Sequence, residues 1–124
     1  MNAFADVDSI APQQIWERIV ARSVHGERIT MSVVELDPGA VVAEHSHDNE
    51  QLGIVVSGTM DFRVGDERLT LGVGGTWCIP PNTVHEATAG PEGAVVIDVF
   101  APTRDDWTAL PRLERSPRWP VSPV

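Results

Sequence analysis

The sequence lacks several side chains on which much enzyme chemistry depends. It has no tyrosine and one cysteine, and its nine basic residues are all arginine. Without lysine there is no amine for a Schiff base, which excludes class I aldolase and pyridoxal chemistry. Without tyrosine there is no phenolic acid or base. One cysteine excludes an internal disulfide framework and a CxxC zinc or redox site. No apolar run approaches the ~20 residues of a membrane-spanning helix. The segment Met1-Asn2-Ala3-Phe4-Ala5-Asp6 lacks the charged and apolar regions of a secretory signal, so the expected location is the cytoplasm. Eighteen acidic residues against nine basic give a net charge of −9. That charge repels nucleic acid and anionic membrane surface, and neither is expected as a partner.

At 124 residues the chain suits one domain. Valine-rich runs recur between turn signals, which predicts an all-β fold. Arg28–Leu36 stops at Asp37-Pro38-Gly39, and Leu52–Ser57 stops at Gly58. Thr59–Val64 alternates polar and apolar, then turns at Gly65-Asp66 into Glu67–Leu71. Thr76–Ile79 lies between Gly72-Val73-Gly74-Gly75 and Pro80-Pro81-Asn82. Thr83–Ala87 and Ala94–Phe100 flank a predicted turn at Ala89–Gly93. About eight short strands at this spacing suggest an antiparallel sandwich or small barrel. Ile15–Val20 reads as a strand in preference to a short helix. The prolines from Pro102 onward forbid long regular structure, with room for a helical turn or two at Asp105–Leu110.

Three of the four histidines fall into two patterns. On an extended strand, His45 and His47 face the same way, and Gln51 keeps that facing if the strand continues. Glu50, of opposite parity, then points away. His-x-His on a strand suits either two solvated imidazoles or half of a metal site. His85 follows the Pro80-Pro81-Asn82 turn. On the last strand Val96, Asp98 and Phe100 share one face, and Asp98 is either a carboxylate tuned by an apolar interior or a solvated one. His25 reads as a surface turn residue, Cys78 as inert core or wall, and Met31 and Met60 as core filler. Core packing is the default for Trp16 and Trp77, each also placed to line a pocket.

The frame Gly39, His45-Ser46-His47, Gln51, Gly58 and the frame Gly74, Pro80-Pro81-Asn82, His85 resemble the two motifs of the cupin superfamily. The resemblance spans roughly residues 28–104. It implies a jelly-roll barrel (a double-stranded β-helix) in a single domain: an N-terminal arm or strand at 1–27, a barrel core at 28–101 and a proline-rich tail at 102–124. It also implies that His45, His47, Gln51 and His85 hold one divalent metal, with zinc, nickel, manganese and iron all candidates. Gln51 stands where the common motif has glutamate. Asn82 stands where the second has glycine, and asparagine tolerates the left-handed backbone such a turn needs. Ala89 replaces a closing asparagine. Four neutral ligands leave the metal's charge uncompensated, which strengthens it as a Lewis acid and as an anchor for an anion.

The run Asp98-Val99-Phe100-Ala101-Pro102-Thr103-Arg104-Asp105-Asp106-Trp107 is similar to the closing motif of small cupins that act on unsaturated uronates in pectin and alginate breakdown. Those enzymes hydrate and open the ring of a 4,5-unsaturated uronate. The resemblance implies catalytic roles for Asp98 and Arg104, substrate binding by Phe100 and Arg104, and a small anionic carbonyl or enol substrate. A homodimer is expected. Polyketide-cyclase cupins share much of the pattern, and oxygenase chemistry is a further enzyme alternative. The alternative of another class is a non-enzymatic binding module.

Overall fold

The alternation around Gly65-Asp66 forms a hairpin in the computed structural model, which describes residues 3–114. Eight strands run as β1 (Gln13–Trp16), β2 (Ile19–His25), β3 (Thr30–Leu36), β4 (Val41–His45), β5 (Glu50–Val64), β6 (Glu67–Leu71), β7 (Thr76–Ile79) and β8 (His85–Ala101). One helical turn, α1 (Asp105–Thr108), follows. Every pairing is antiparallel. The two long strands β5 and β8 pair with each other and serve two layers. The first part of β5 and the last part of β8 join β1, β2, β3 and β7; the remaining parts join β4 and β6. The core lies between the layers, around Leu36, Val55, Met60, Phe62 and Ile79. This is the jelly roll expected.

Three strand boundaries differ from the sequence reading. Ile15–Val20 is not one strand, because Glu17-Arg18 turns the chain between Trp16 and Ile19, with Arg18 at a φ of 65°. No glycine, asparagine or aspartate marks that turn. The stop at Gly58 is a bend within β5: its φ is 78°, and a Cβ there would meet the Gly93 carbonyl oxygen at 2.0 Å. The turn at Ala89–Gly93 is an irregularity within β8, where register passes from Ala94 opposite Gly58 to Ala89 opposite Met60. Long strands that bend read locally as two short ones, because glycine serves bends and turns alike.

The inner and outer faces follow from strand parity. Met60 is core as expected, whereas Met31 and Cys78 are exposed on the outer face, opposite Val99 and Leu52 respectively. Asp98, Val96 and Phe100 point inward. The chain N-terminal to β1 is tied to the outer face: Arg22, which pairs with Glu35 at 3.3 Å, donates from Nη1 to the Ile10 carbonyl at 2.6 Å. After α1 the chain returns to β1, where the Leu113 amide donates to the Pro12 carbonyl at 2.7 Å. The predicted path of the tail beyond residue 114 lies outside the described residues. Among the described residues no helix is long and apolar enough to cross a membrane.

Gly53 sits between Trp77 on β7 and Asp98 on β8 in the register. The Trp77 indole crosses directly over it, so a Cβ at Gly53 would lie 2.1 Å from the ring. Trp77 also stacks on Phe62 with centroids 4.7 Å apart and cannot retreat freely. Gly53→Ala is therefore expected to lower the unfolding free energy by about 2 kcal/mol through overpacking. Urea denaturation checks this, and an unchanged midpoint would contradict it.

Candidate functional site

Three strand ends and one bend bring the histidines together. His45 closes β4 and pairs with His85, which opens β8. His47 follows in the connection, and Gln51 is the second residue of β5. The continuous strand expected from His45 to Gln51 does not form. The chain bends at Asp48-Asn49 instead, and Glu50, as expected, is exposed. The bend is pinned from both sides: Asn49 Nδ2 donates to the Pro102 carbonyl at 2.6 Å, and the Asn82 amide donates to the His47 carbonyl at 2.8 Å. Asn82 adopts the left-handed backbone expected of it, with a φ of 62°.

Each imidazole is oriented the same way. Nδ1 of His45, His47 and His85 lies 2.8, 3.0 and 2.8 Å from the carbonyls of Ala43, Asn49 and Thr83. A carbonyl only accepts, so each Nδ1 carries the proton and each Nε2 keeps its lone pair. The three histidines offer ligand atoms within 4.8 Å of one another. Oε1 of Gln51 lies 3.1 Å from His47 Nε2, so two lone pairs face each other there. A shared cation is the group that satisfies such a donor set, and outer hydrogen bonds of this kind accompany metal-ligating histidines. Burial lowers the pKa of His85 to about 4. Burial, then the Arg104 charge, lowers that of His47. Both are therefore neutral at pH 7, the form that binds metal.

Asp98 lies beside this cluster on β8. Its Oδ1 accepts from Gln51 Nε2 at 2.9 Å and from Trp77 Nε1 at 2.9 Å. Burial pushes its pKa up to about 6, against the pull of those two hydrogen bonds and of Arg104. Arg104 stands at the start of α1, with its guanidinium 4.8 Å from the Phe100 ring centre and 4.1 Å from that of Trp107. Its Nη2 donates to Asp106 at 2.9 Å, and this pairing holds the Asp106 carboxyl below its usual range. All seven side chains picked out from the sequence by position (His45, His47, Gln51, His85, Asp98, Phe100 and Arg104) line one cavity of about 280 Å³.

Several residues of the site escaped the sequence reading. Trp77 is buried in the core and lines the cavity, as both of its readings had it; the role missed is its hydrogen bond to Asp98. Its signal is Gly53, a glycine inside a strand, which marks a close approach. Asn49 and Asp106 carried no signal beyond their place next to the motif residues. The cluster predicts about one divalent ion per chain, by elemental mass spectrometry on protein purified without chelator. His47→Ala and His85→Ala should each weaken its retention by about 100-fold or more, beyond the loss typical of an outer partner. Wild-type protein that stays metal-free after incubation with zinc, nickel, manganese and iron would contradict the assignment.

Known proteins match the sequence and the fold. The pectin degradation protein KdgF of Dickeya dadantii is 30% identical over 80 residues, which cover 64% of this chain and 73% of that protein. The structure of KdgF from Halomonas sp. is 30% identical with a TM-score of 0.79, covering 86% of this chain and 98% of that one. The polyketide cyclase RemF from Streptomyces resistomycificus has a TM-score of 0.72 at 19% identity, over 82% of this chain and 80% of that one, and shares the fold. Residues 32–100, the stretch that carries the three histidines, Gln51, Asp98 and Phe100, match the model of the cupin domain, so the chain belongs to the cupin family.

Proposed function

We propose that the chain is a metal-dependent enzyme acting on a small anionic carbonyl or enol compound, and that its reaction is hydration and ring opening of a 4,5-unsaturated uronate. The observation that carries this reading is the placement of a carboxylate, a guanidinium and a three-histidine cluster on the wall of one cavity. The likeness to two KdgF proteins, one a pectin degradation protein by name, supports the substrate class. Nε2 of His45, His47 and His85 with Oε1 of Gln51 would hold one divalent ion: zinc, nickel, manganese or iron. When bound, that ion supplies Lewis-acid polarisation of a carbonyl or enol oxygen.

The chain's own residues do the rest. Arg104 takes the substrate carboxylate, and the Phe100 ring beneath it forms the floor of that subsite. Asp98 moves the proton: both of its hydrogen bonds fall on Oδ1, so Oδ2 is the oxygen that meets the substrate. A passive binding module would need the arginine and would use Asp98 only to orient Gln51, whereas a buried carboxylate with both hydrogen bonds on one oxygen suits proton transfer. The exposed free thiol of Cys78 suits the reducing cytoplasm.

The test is turnover of a 4,5-unsaturated galacturonate monomer. Asp98→Asn should lower kcat by about 100-fold or more with metal content unchanged. Loss of metal as well would reduce Asp98 to a support for Gln51. Arg104→Gln should raise KM about 10- to 100-fold, the worth of a hydrogen bond to a charged group. No turnover by the wild type would sink the uronate reading. A second reading, cyclisation of a polyketide-like substrate, rests on the inner wall: Ile15, Ile19, Leu36, Met60 and Phe62 line it, and among the described residues no serine, threonine or asparagine does. Such a wall favours a substrate with few hydroxyls, since a buried hydroxyl without a partner costs about 1–3 kcal/mol.

The same reading includes a homodimer, supported by the outer face. Val24, Met31, Val99, Leu52 and Cys78 lie opposite one another in a single row across β2, β3, β8, β5 and β7. Val24, Met31 and Leu52 are more than 40% exposed, at 45%, 44% and 49%. Ile54, in the next row, extends the patch. A row five strands wide spans roughly 24 Å at ~4.8 Å per strand, a width suited to an interface of standard size. A second copy carries the same charge of −9, and this row of uncharged side chains is where two copies meet with little repulsion. Sedimentation should give a dimer that Leu52→Arg converts to a folded monomer; a wild-type monomer at micromolar concentration would contradict it.

A further inference from the structure

Arg104 is held by more groups than its position requires. Its backbone amide donates to Thr30 Oγ1 at 3.0 Å, which fixes the start of α1 against β3. Its guanidinium rests on the Phe100 and Trp107 rings, both of which are buried. These contacts orient the side chain without any acid. Asp106 nevertheless takes two donors of the same guanidinium, Nε at 3.1 Å and Nη2 at 2.9 Å. The fork of Nε and Nη2 is an edge on which arginine binds a carboxylate through two parallel hydrogen bonds. Asp106 itself lines the cavity and is not confined: its side chain is 64% exposed, against 11% for Arg104. It can swing to water at little cost, whereas the guanidinium cannot follow.

We propose that Asp106 is a built-in competitor for Arg104, occupying in the free protein the guanidinium edge that the substrate carboxylate takes, and exchanged for it on binding. The inference rests on the reading of Arg104 as the carboxylate-binding group. Its consequence is selectivity. A simple carboxylate must displace a tethered one of equal charge and gains little. A substrate with a second anchor at the histidine cluster gains enough from that anchor to complete the exchange. Asp106 thereby keeps the site clear of ordinary small acids. It is a specificity residue acting through Arg104.

The probe is propionate, a monocarboxylate with no second anchor, titrated calorimetrically into the metal-bearing protein. Asp106→Asn should bind propionate about tenfold more tightly than wild type, the lower end of the worth of a charged hydrogen bond. The gain should vanish in Asp106→Asn/Arg104→Gln. Asp105→Asn removes a neighbouring exposed charge that pairs with Thr103 instead, and should leave propionate binding unchanged. Unchanged, weaker or undetectable binding to Asp106→Asn would overturn the proposal, the weaker case because Asp106 would then be orienting Arg104. An equal gain in Asp105→Asn would overturn it too, by reducing the effect to net charge. Failure of the uronate reading looks different: wild type would turn over no uronate, while the propionate series kept its pattern.

Discussion

The amide of Gln51 has one accepting end and one donating end, and Asp98 decides which of them faces the histidines. A buried carboxylate needs donors, so the Gln51 NH₂ turns to Asp98 and its oxygen turns to His47. With the three Nδ1 protons committed to backbone carbonyls, every group directed at the centre of the cluster is then an acceptor. The histidine cluster and the carboxylate thus meet the two ends of one amide. Glutamate, the residue usual in the family's motif, would set a second carboxylate within hydrogen-bond distance of Asp98. Two like charges that close in a buried site cannot both stay ionised. The neutral amide is what permits Asp98 to stand there, and the departure from the family pattern follows from the residue it faces.

The other donor to Asp98 shows how the fold serves the same chain. Trp77 reaches Oδ1 only by lying across β5, which is possible because position 53 has no side chain. One glycine on the central strand therefore connects the packing of the jelly roll to the setting of the carboxylate. The bend at Asp48-Asn49 has the corresponding role for His47, since Asn49 fastens it to the segment that carries Arg104. Barrel, bend and closing segment converge on one cavity from different parts of the chain.

Much of this was legible in the residues, and the failures have physical causes. The flanking turn residues located β6 and β7 to the residue, and the parity of β8 put Asp98, Val96 and Phe100 on one face. Parity alone does not show the bend that joins His45 to Gln51, which is fastened where Asn49 donates to the Pro102 carbonyl and the Asn82 amide donates to the His47 carbonyl. The reading failed for Met31 and Cys78 because their outer face is apolar, so hydrophobicity alone did not say inside. Asp106 went unnoticed because an exposed acid beside an arginine looks like any surface pair. What distinguishes it is that its partner lines the cavity.

The central claim is that the cation belongs to the three imidazoles and the Gln51 oxygen, with Asp98 outside the ligand set. Anomalous scattering from crystals of zinc-loaded protein tests it most directly. The account predicts one zinc per chain bonded to Nε2 of His45, His47 and His85 and to Oε1 of Gln51, with Asp98 still bonded to the Gln51 amide. A zinc ligated by Asp98, or seated away from the histidine cluster, would contradict it.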